Sequence, residues 1–201
     1  MKKIINIGAD PFPPYQYYDE DGNLKGSDYE NIKNKFENMG YEVNIVLDEW
    51  KIIEDNIVNK KLDAAFQVQY TKERESKYFF SNLFRNAITE VVTGNPEIKL
   101  NSYKEIEENK LTLGVIANYT YGDDIDNIDS SLKVSYKDQT ELLKAINDKV
   151  VDLGIFDKGV KEYILEKEEF SNIHSIKALE FIRPLYVVFS NESLRNEWNE
   201  K

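Results

Sequence analysis

The 201 residues carry 37 acidic against 26 basic side chains, a formal charge of −11, with 41% hydrophobic and 31% charged residues. That is the composition of a soluble globular chain, and a surface this negative argues against nucleic acid and anionic membrane surfaces as partners. The absence of cysteine excludes disulfides, thiolate metal sites and cysteine nucleophiles, and no segment approaches the roughly 20 apolar residues of a membrane span.

In chain order, residues 3–9 read as a buried strand stopped by Asp10-Pro11-Phe12-Pro13-Pro14, where the prolines impose an extended loop. Tyr15 to Tyr18 and Leu24-Lys25-Gly26 form the arms of a small hairpin around the turn Asp19-Glu20-Asp21-Gly22. Ser27-Asp28 stands where an N-cap belongs, ahead of a helix from about Tyr29 to Met39, ended by Gly40. A strand over 42–47, a helix over 50–59 and a short strand over 62–66 follow, giving the βαβ rhythm of a mostly parallel sheet. A β-rich run spans 87–93.

The rhythm then restarts with a helix over 102–109, a strand over 111–116, a helix start over 119–126 and a strand over 134–136. A helix over 139–147, a strand over 151–156 and a helix over 157–166 come next, and Arg183 to Ser190 supplies a last strand. Two βαβ blocks joined by two β crossings predict an α/β fold of two lobes, each a mostly parallel sheet flanked by helices. Lobe 1 takes residues 1–90 and 183–201, and lobe 2, residues 91–182, is inserted into it. Ligands of such sheets sit beyond the carboxyl ends of the strands, which directs attention to the loops at 10–15, 66–74, 116–121 and 156–158.

Enzyme signatures are sparse. His174 lies in a polar stretch with no partner carboxylate at useful spacing and reads as a surface residue. There is no Gly-x-Ser-x-Gly elbow, phosphate loop or Gly-x-Gly-x-x-Gly fingerprint. The acidic run Asp123 to Asp129 lacks the glycine and distal glutamate of a calcium loop and reads as a solvated helix start. No metal, no cofactor and no catalytic residue is expected.

Several segments, in order, resemble one family. They are Ala9-Asp10-Pro11-Phe12-Pro13-Pro14-Tyr15-Gln16-Tyr17, Asp21-Gly22-Asn23-Leu24-Lys25-Gly26-Ser27-Asp28, Trp50, Lys61-Leu62-Asp63-Ala64, Tyr70-Thr71-Lys72-Glu73-Arg74 and Phe79-Phe80-Ser81. In the second lobe, Leu113-Gly114-Val115-Ile116 and Val151-Asp152-Leu153-Gly154-Ile155-Phe156-Asp157 continue the match. The pattern is similar to the family 3 extracytoplasmic solute-binding proteins, the polar amino-acid receptors with the type II periplasmic binding fold.

The resemblance implies that Arg74 grips the α-carboxylate of an amino-acid-like ligand, a task suited to its permanently charged planar fork. It implies that Asp157 meets the ligand's α-ammonium, beside its local reading as an N-cap. Phe12 and Trp50 then wall the side-chain pocket, and Thr120 meets the carboxylate at a helix start. Gln67 and Gln69 stand where relatives carry small hydroxyl residues, and Asn118-Tyr119-Thr120-Tyr121 replaces a Gly-Thr or Gly-Ser run. The expected pocket is therefore crowded and rich in amide and phenol groups.

The family's usual leader is missing and its final helices are shortened here, which suggests a piece excised from a larger membrane protein. The expectation is an extracytoplasmic, membrane-tethered sensor domain of a histidine kinase or diguanylate cyclase, monomeric in isolation, that closes on a zwitterionic ligand. The alternatives are a receptor for an amino-acid ABC permease and, lower, a cyclohexadienyl dehydratase-like enzyme.

Overall fold

The computed structural model describes residues 2–201 and contains eleven strands and eight α-helices. In chain order they are β1 (Lys3–Ala9), β2 (Tyr17–Tyr18), β3 (Leu24–Lys25), α1 (Ser27–Asn38), β4 (Tyr41–Leu47), α2 (Trp50–Val58), β5 (Ala64–Gln69), α3 (Lys72–Glu75) and β6 (Phe79–Thr93). Then come α4 (Lys104–Glu108), β7 (Leu113–Ile116), α5 (Asp123–Asp126), β8 (Lys133–Tyr136), α6 (Gln139–Asn147), β9 (Leu153–Asp157), α7 (Lys158–Leu165), β10 (His174–Ser175), β11 (Phe181–Phe189) and α8 (Glu192–Glu200). The chain packs as two units, Met1–Asn86 with Pro184–Lys201, and Ala87–Arg183. Strands β6 and β11 carry the chain from one unit to the other.

In unit 1 the strand order is β4-β1-β5-β11. β1 runs parallel to β4 from Lys3↔Tyr41 to Ala9↔Leu47 and parallel to β5 at Ile7↔Ala64, while β11 joins β5 antiparallel. Ile5, Ile7, Ile32, Phe36, Phe66 and Phe189 are buried together in its core, each worth about 1.5–3 kcal/mol of transfer from water. In unit 2 the order is β6-β9-β7-β8, with β10 on β6. β7 is parallel to both β8 and β9, and β9 is antiparallel to β6 from Thr89↔Asp157 to Thr93↔Leu153. Val91, Ile106, Leu113, Ile125, Leu153 and Ile155 are buried in the core of this unit.

The mixed α/β class with mostly parallel sheets is the one the sequence predicted; three local expectations need correction. Helix α1 starts at Ser27 after Gly26, and no side chain caps it. Gly26 adopts φ +123°, and a Cβ there would stand 2.2 Å from the Tyr15 carbonyl, so only glycine allows that close approach. The Tyr15 carbonyl accepts from Asp28 N and Tyr29 N, and the Asp28 carboxylate is freed from capping for the network described below. Strand β5 runs on through Gln69 rather than ending at Phe66, because a bulge opposite Val187 absorbs Gln67 at φ +64°.

The helix expected over 119–126 is only α5, since the amides of Tyr121 and Gly122 donate to the Asp126 carboxylate and hold the preceding loop open. The chain end, to which the sequence reading assigned no element, adds a helix to unit 1. Residues 192–200 form a helix whose Trp198 is 4% exposed and packs on Phe36 at 4.8 Å and Phe189 at 5.9 Å.

Candidate functional site

In unit 1, Arg74 sits on the one-turn helix α3, whose N-cap Thr71 accepts from the Arg74 amide at 3.1 Å. That cap follows directly from the Tyr-Thr-Lys-Glu-Arg spacing. The guanidinium lies 5.0 Å from the Trp50 ring centre, close enough for cation–π attraction. Its Nη1 donates to the Gln69 carbonyl at 3.1 Å, and its Nε faces Glu54 Oε1 at 3.5 Å. Glu54 in turn accepts from the Tyr78 hydroxyl at 3.0 Å, and burial pushes the Tyr78 phenol well above its ordinary range. The head of Arg74 is thus fixed on one edge. Nη2 makes no hydrogen bond among the described residues, and with the outer N–H of Nη1 it forms the free end of the fork. Two buried atoms beside it also lack partners: Trp50 Nε1, a donor, and Gln69 Oε1, an acceptor.

The other glutamine is committed. The bulge turns Gln67 so that its Nε2 donates to Gln16 Oε1 at 2.9 Å and to Asp28 Oδ2 at 2.7 Å. Asp28, 2% exposed, also accepts from Arg85 Nε at 2.7 Å. The Arg85 guanidinium lies 3.9 Å from the Tyr15 ring centre, and Tyr15 stacks at 6.0 Å on the buried Phe12. Phe12, Tyr15 and Arg85 form successive layers, and Gln16, Gln67 and Asp28 lock the last of them in place. Sequence reasoning assigned Asp28 to capping and passed over Arg85, because their partners lie 39 and 57 residues away in the chain.

In unit 2, Asp157 ends β9 and caps α7, its Oδ1 accepting from Val160 N at 3.2 Å. Its Oδ2 lies 3.9 Å from Nη2 of the buried Arg183, an arginine without any sequence signal, which offsets its charge. Asn118 is exposed at φ +65°, and Tyr119 packs on the unit's core. Thr120 lies three residues before α5, not at its start, and is half-buried. The Tyr121 hydroxyl accepts from Ile116 N at 2.9 Å, and burial pushes that phenol up to about 12. Among the described residues, no group of three histidine, cysteine, aspartate or glutamate side chains is placed to hold a metal, and no helix is long and apolar enough to cross a membrane.

Arg74 thus lies on the capped helix that follows β5, and Asp157 caps α7 from the carboxyl end of β9. The sequence profile of the bacterial extracellular solute-binding proteins, family 3, matches residues 5–162, and the chain belongs to that family.

Its curated relatives include a probable amino-acid ABC transporter-binding protein of Haemophilus influenzae, 24% identical over 166 residues, 77% of this chain and 63% of the relative. The L-cystine-binding protein TcyJ of Escherichia coli K12 is 24% identical over 54% of this chain and 41% of its own. The chain therefore spans less than two thirds of the curated relatives it matches. Among solved structures, an ancestral arginine-binding protein bound to arginine superposes with a TM-score of 0.83 at 20% identity, covering 100% of this chain and 91% of that one. A histidine kinase sensor domain with similarity to periplasmic binding proteins gives 0.84 at 13% identity, covering 98% and 87%. At these identities the structures speak to the fold alone.

Proposed function

We propose that the chain is an extracytoplasmic binding domain for a small amino-acid-like ligand, with the free fork of Arg74 taking the ligand's carboxylate. The observation that carries the reading is the setting of that guanidinium. Trp50, Glu54 and the Gln69 carbonyl hold one edge, while Nη2 keeps its donors beside two unpartnered buried atoms, Trp50 Nε1 and Gln69 Oε1. A preorganised, bidentate donor pair is the recognition element that a carboxylate needs. Phe12 and Trp50 supply apolar wall, and Gln69 supplies an acceptor for a polar or ammonium group. Asp157 is the candidate for the ligand's ammonium, with Asn118, Tyr119 and Thr120 contributing from their loop. Gln67 takes part through the network that fixes Arg85.

The further step is the role. We read the domain as the sensor part of a membrane signalling protein, supported by its likeness to the histidine kinase sensor domain. Delivery of solute to a membrane permease is the second reading, supported by the Haemophilus relative. A thermal-shift screen of amino acids and related zwitterions tests the binding step, since a ligand that binds only the folded state raises the melting temperature. The reading expects a hit among zwitterions. A panel with no stabilising amino acid or analogue would remove its support. Coupling the full-length protein to ligand then separates the roles: a ligand-dependent change in kinase or cyclase output supports sensing, and ligand-dependent uptake supports transport.

A further inference from the structure

Unit 2 carries a cavity that none of the candidate ligand-binding residues lines. It has a volume of about 280 Å³ and lies between the 96–101 segment and the 174–178 segment, with Thr93 at its base. Its walls are held in place by backbone. β10 pairs with β6 at His174↔Thr93 and Ser175↔Val92, and Ile176 N donates to the Val91 carbonyl at 2.8 Å. On the other wall, Leu100 is buried in the unit's core, and the Tyr103 hydroxyl donates to the Leu179 carbonyl.

The charge of the lining is opposite to that of the molecule. The protein holds 37 acids against 26 bases, yet the cavity is lined by Lys99, Lys177 and His174 with no aspartate or glutamate. Glu97 and Glu180, close in sequence, are not part of the lining. Neither Lys99 nor Lys177 has an ion-pair partner among the described residues, whereas ten other pairs form elsewhere. A third ammonium, Lys161, is taken up by the buried Glu90 and also donates to Ser175 Oγ at 2.9 Å, and that hydroxyl lies 3.3 Å from Glu90 Oε2. The remaining lining includes apolar Ile98, Leu100 and Ile176. Two lysines without ion-pair partners and three apolar side chains in one lining make a site complementary to a molecule with an anionic head and an apolar body.

We propose that this cavity binds a small organic anion with an apolar body, Lys99 and Lys177 taking the head and Ile98 and Ile176 the body. The site lies within unit 2 and does not depend on the reading of Arg74. The test is a titration of the ¹⁵N-labelled full chain with sodium benzoate, followed by amide chemical shifts, with benzyl alcohol and inorganic phosphate in parallel. Expected are saturable shifts confined to 93–101 and 174–178, at least tenfold weaker in Lys99→Gln/Lys177→Gln and absent with benzyl alcohol. Both lysines are exposed, so the double variant keeps the parent's melting temperature. No saturable shift in those segments, equal shifts with benzyl alcohol, or unchanged affinity in the double variant would overturn the site. Equal affinity for phosphate alone would overturn the apolar half of the proposal.

Discussion

Asp28 offers the most direct check on how the ligand-facing side of unit 1 is held together. The carboxylate is 2% exposed and accepts from Arg85 Nε and Gln67 Nε2, each at 2.7 Å. Replacing it by leucine keeps the branched heavy-atom shape and leaves the Arg85 guanidinium, whose side chain is only 19% exposed, facing an apolar group. Removing one partner of a buried pair costs about 3–5 kcal/mol, and the residual exposure of Arg85 places the expected loss near the lower figure. At about 2–4 °C per kcal/mol for a chain of this length, Asp28→Leu lowers the melting temperature by about 6–12 °C. Both tryptophans, Trp50 and Trp198, lie in unit 1, so urea unfolding followed by tryptophan fluorescence reports on this unit. Arg85→Met in the Asp28→Leu background removes the orphaned charge, so the double variant is more stable than Asp28→Leu alone. A single variant within about 0.5 kcal/mol of the parent, or two losses that simply add, would refute the network as a coupled unit.

Three further outcomes follow from the same geometry. Trp198→Ala opens a cavity among Phe36 and Phe189 and costs about 3–5 kcal/mol, measured by urea unfolding; a cost under about 1 kcal/mol would mean that α8 contributes little to unit 1. Tyr121→Phe leaves the Ile116 amide without its acceptor and costs about 1–3 kcal/mol, read from thermal unfolding. The Tyr121 phenol ionises near about 12 when folded against an ordinary value of 10.0, so its contribution is complete below pH 10 and is lost as pH rises toward 12. Stability measured at pH 9 to 12 therefore falls less steeply in Tyr121→Phe than in the parent, and parallel curves would contradict that assignment.

Most of the fold was legible because each signal was local. Prolines at 11, 13 and 14 end β1, Asp157 caps α7, and apolar spacing defines α1 and α2. The errors came where a residue serves a distant partner instead of its neighbours. Asp28 had a capping position but is drawn to Arg85 and Gln67, and Gly26 is set by the approach of Tyr15. Asp126 competes for the amides that would have begun a longer helix at residues 119–126. Arg85, Arg183 and the Glu90–Lys161 pair carried no sequence signal, since nothing in the chain distinguishes a buried arginine or lysine from a solvated one. Arg74 was legible only through the family resemblance of its segment; that Glu54 and Trp50 hold it depends on α2 packing against β5, which no local pattern reports.

The central claim is that Arg74 receives a ligand carboxylate. Isothermal titration of the best zwitterion from the thermal-shift screen into the parent chain and into Arg74→Ala tests it directly. A charge-assisted hydrogen bond contributes about 1.5–3 kcal/mol, so Arg74→Ala should bind roughly 10- to 100-fold more weakly while keeping its fold. Esterifying the ligand's carboxylate should weaken binding to the parent by a similar factor and make little difference to the variant. Affinity within twofold of the parent in Arg74→Ala, with the ester still discriminated, would contradict the account.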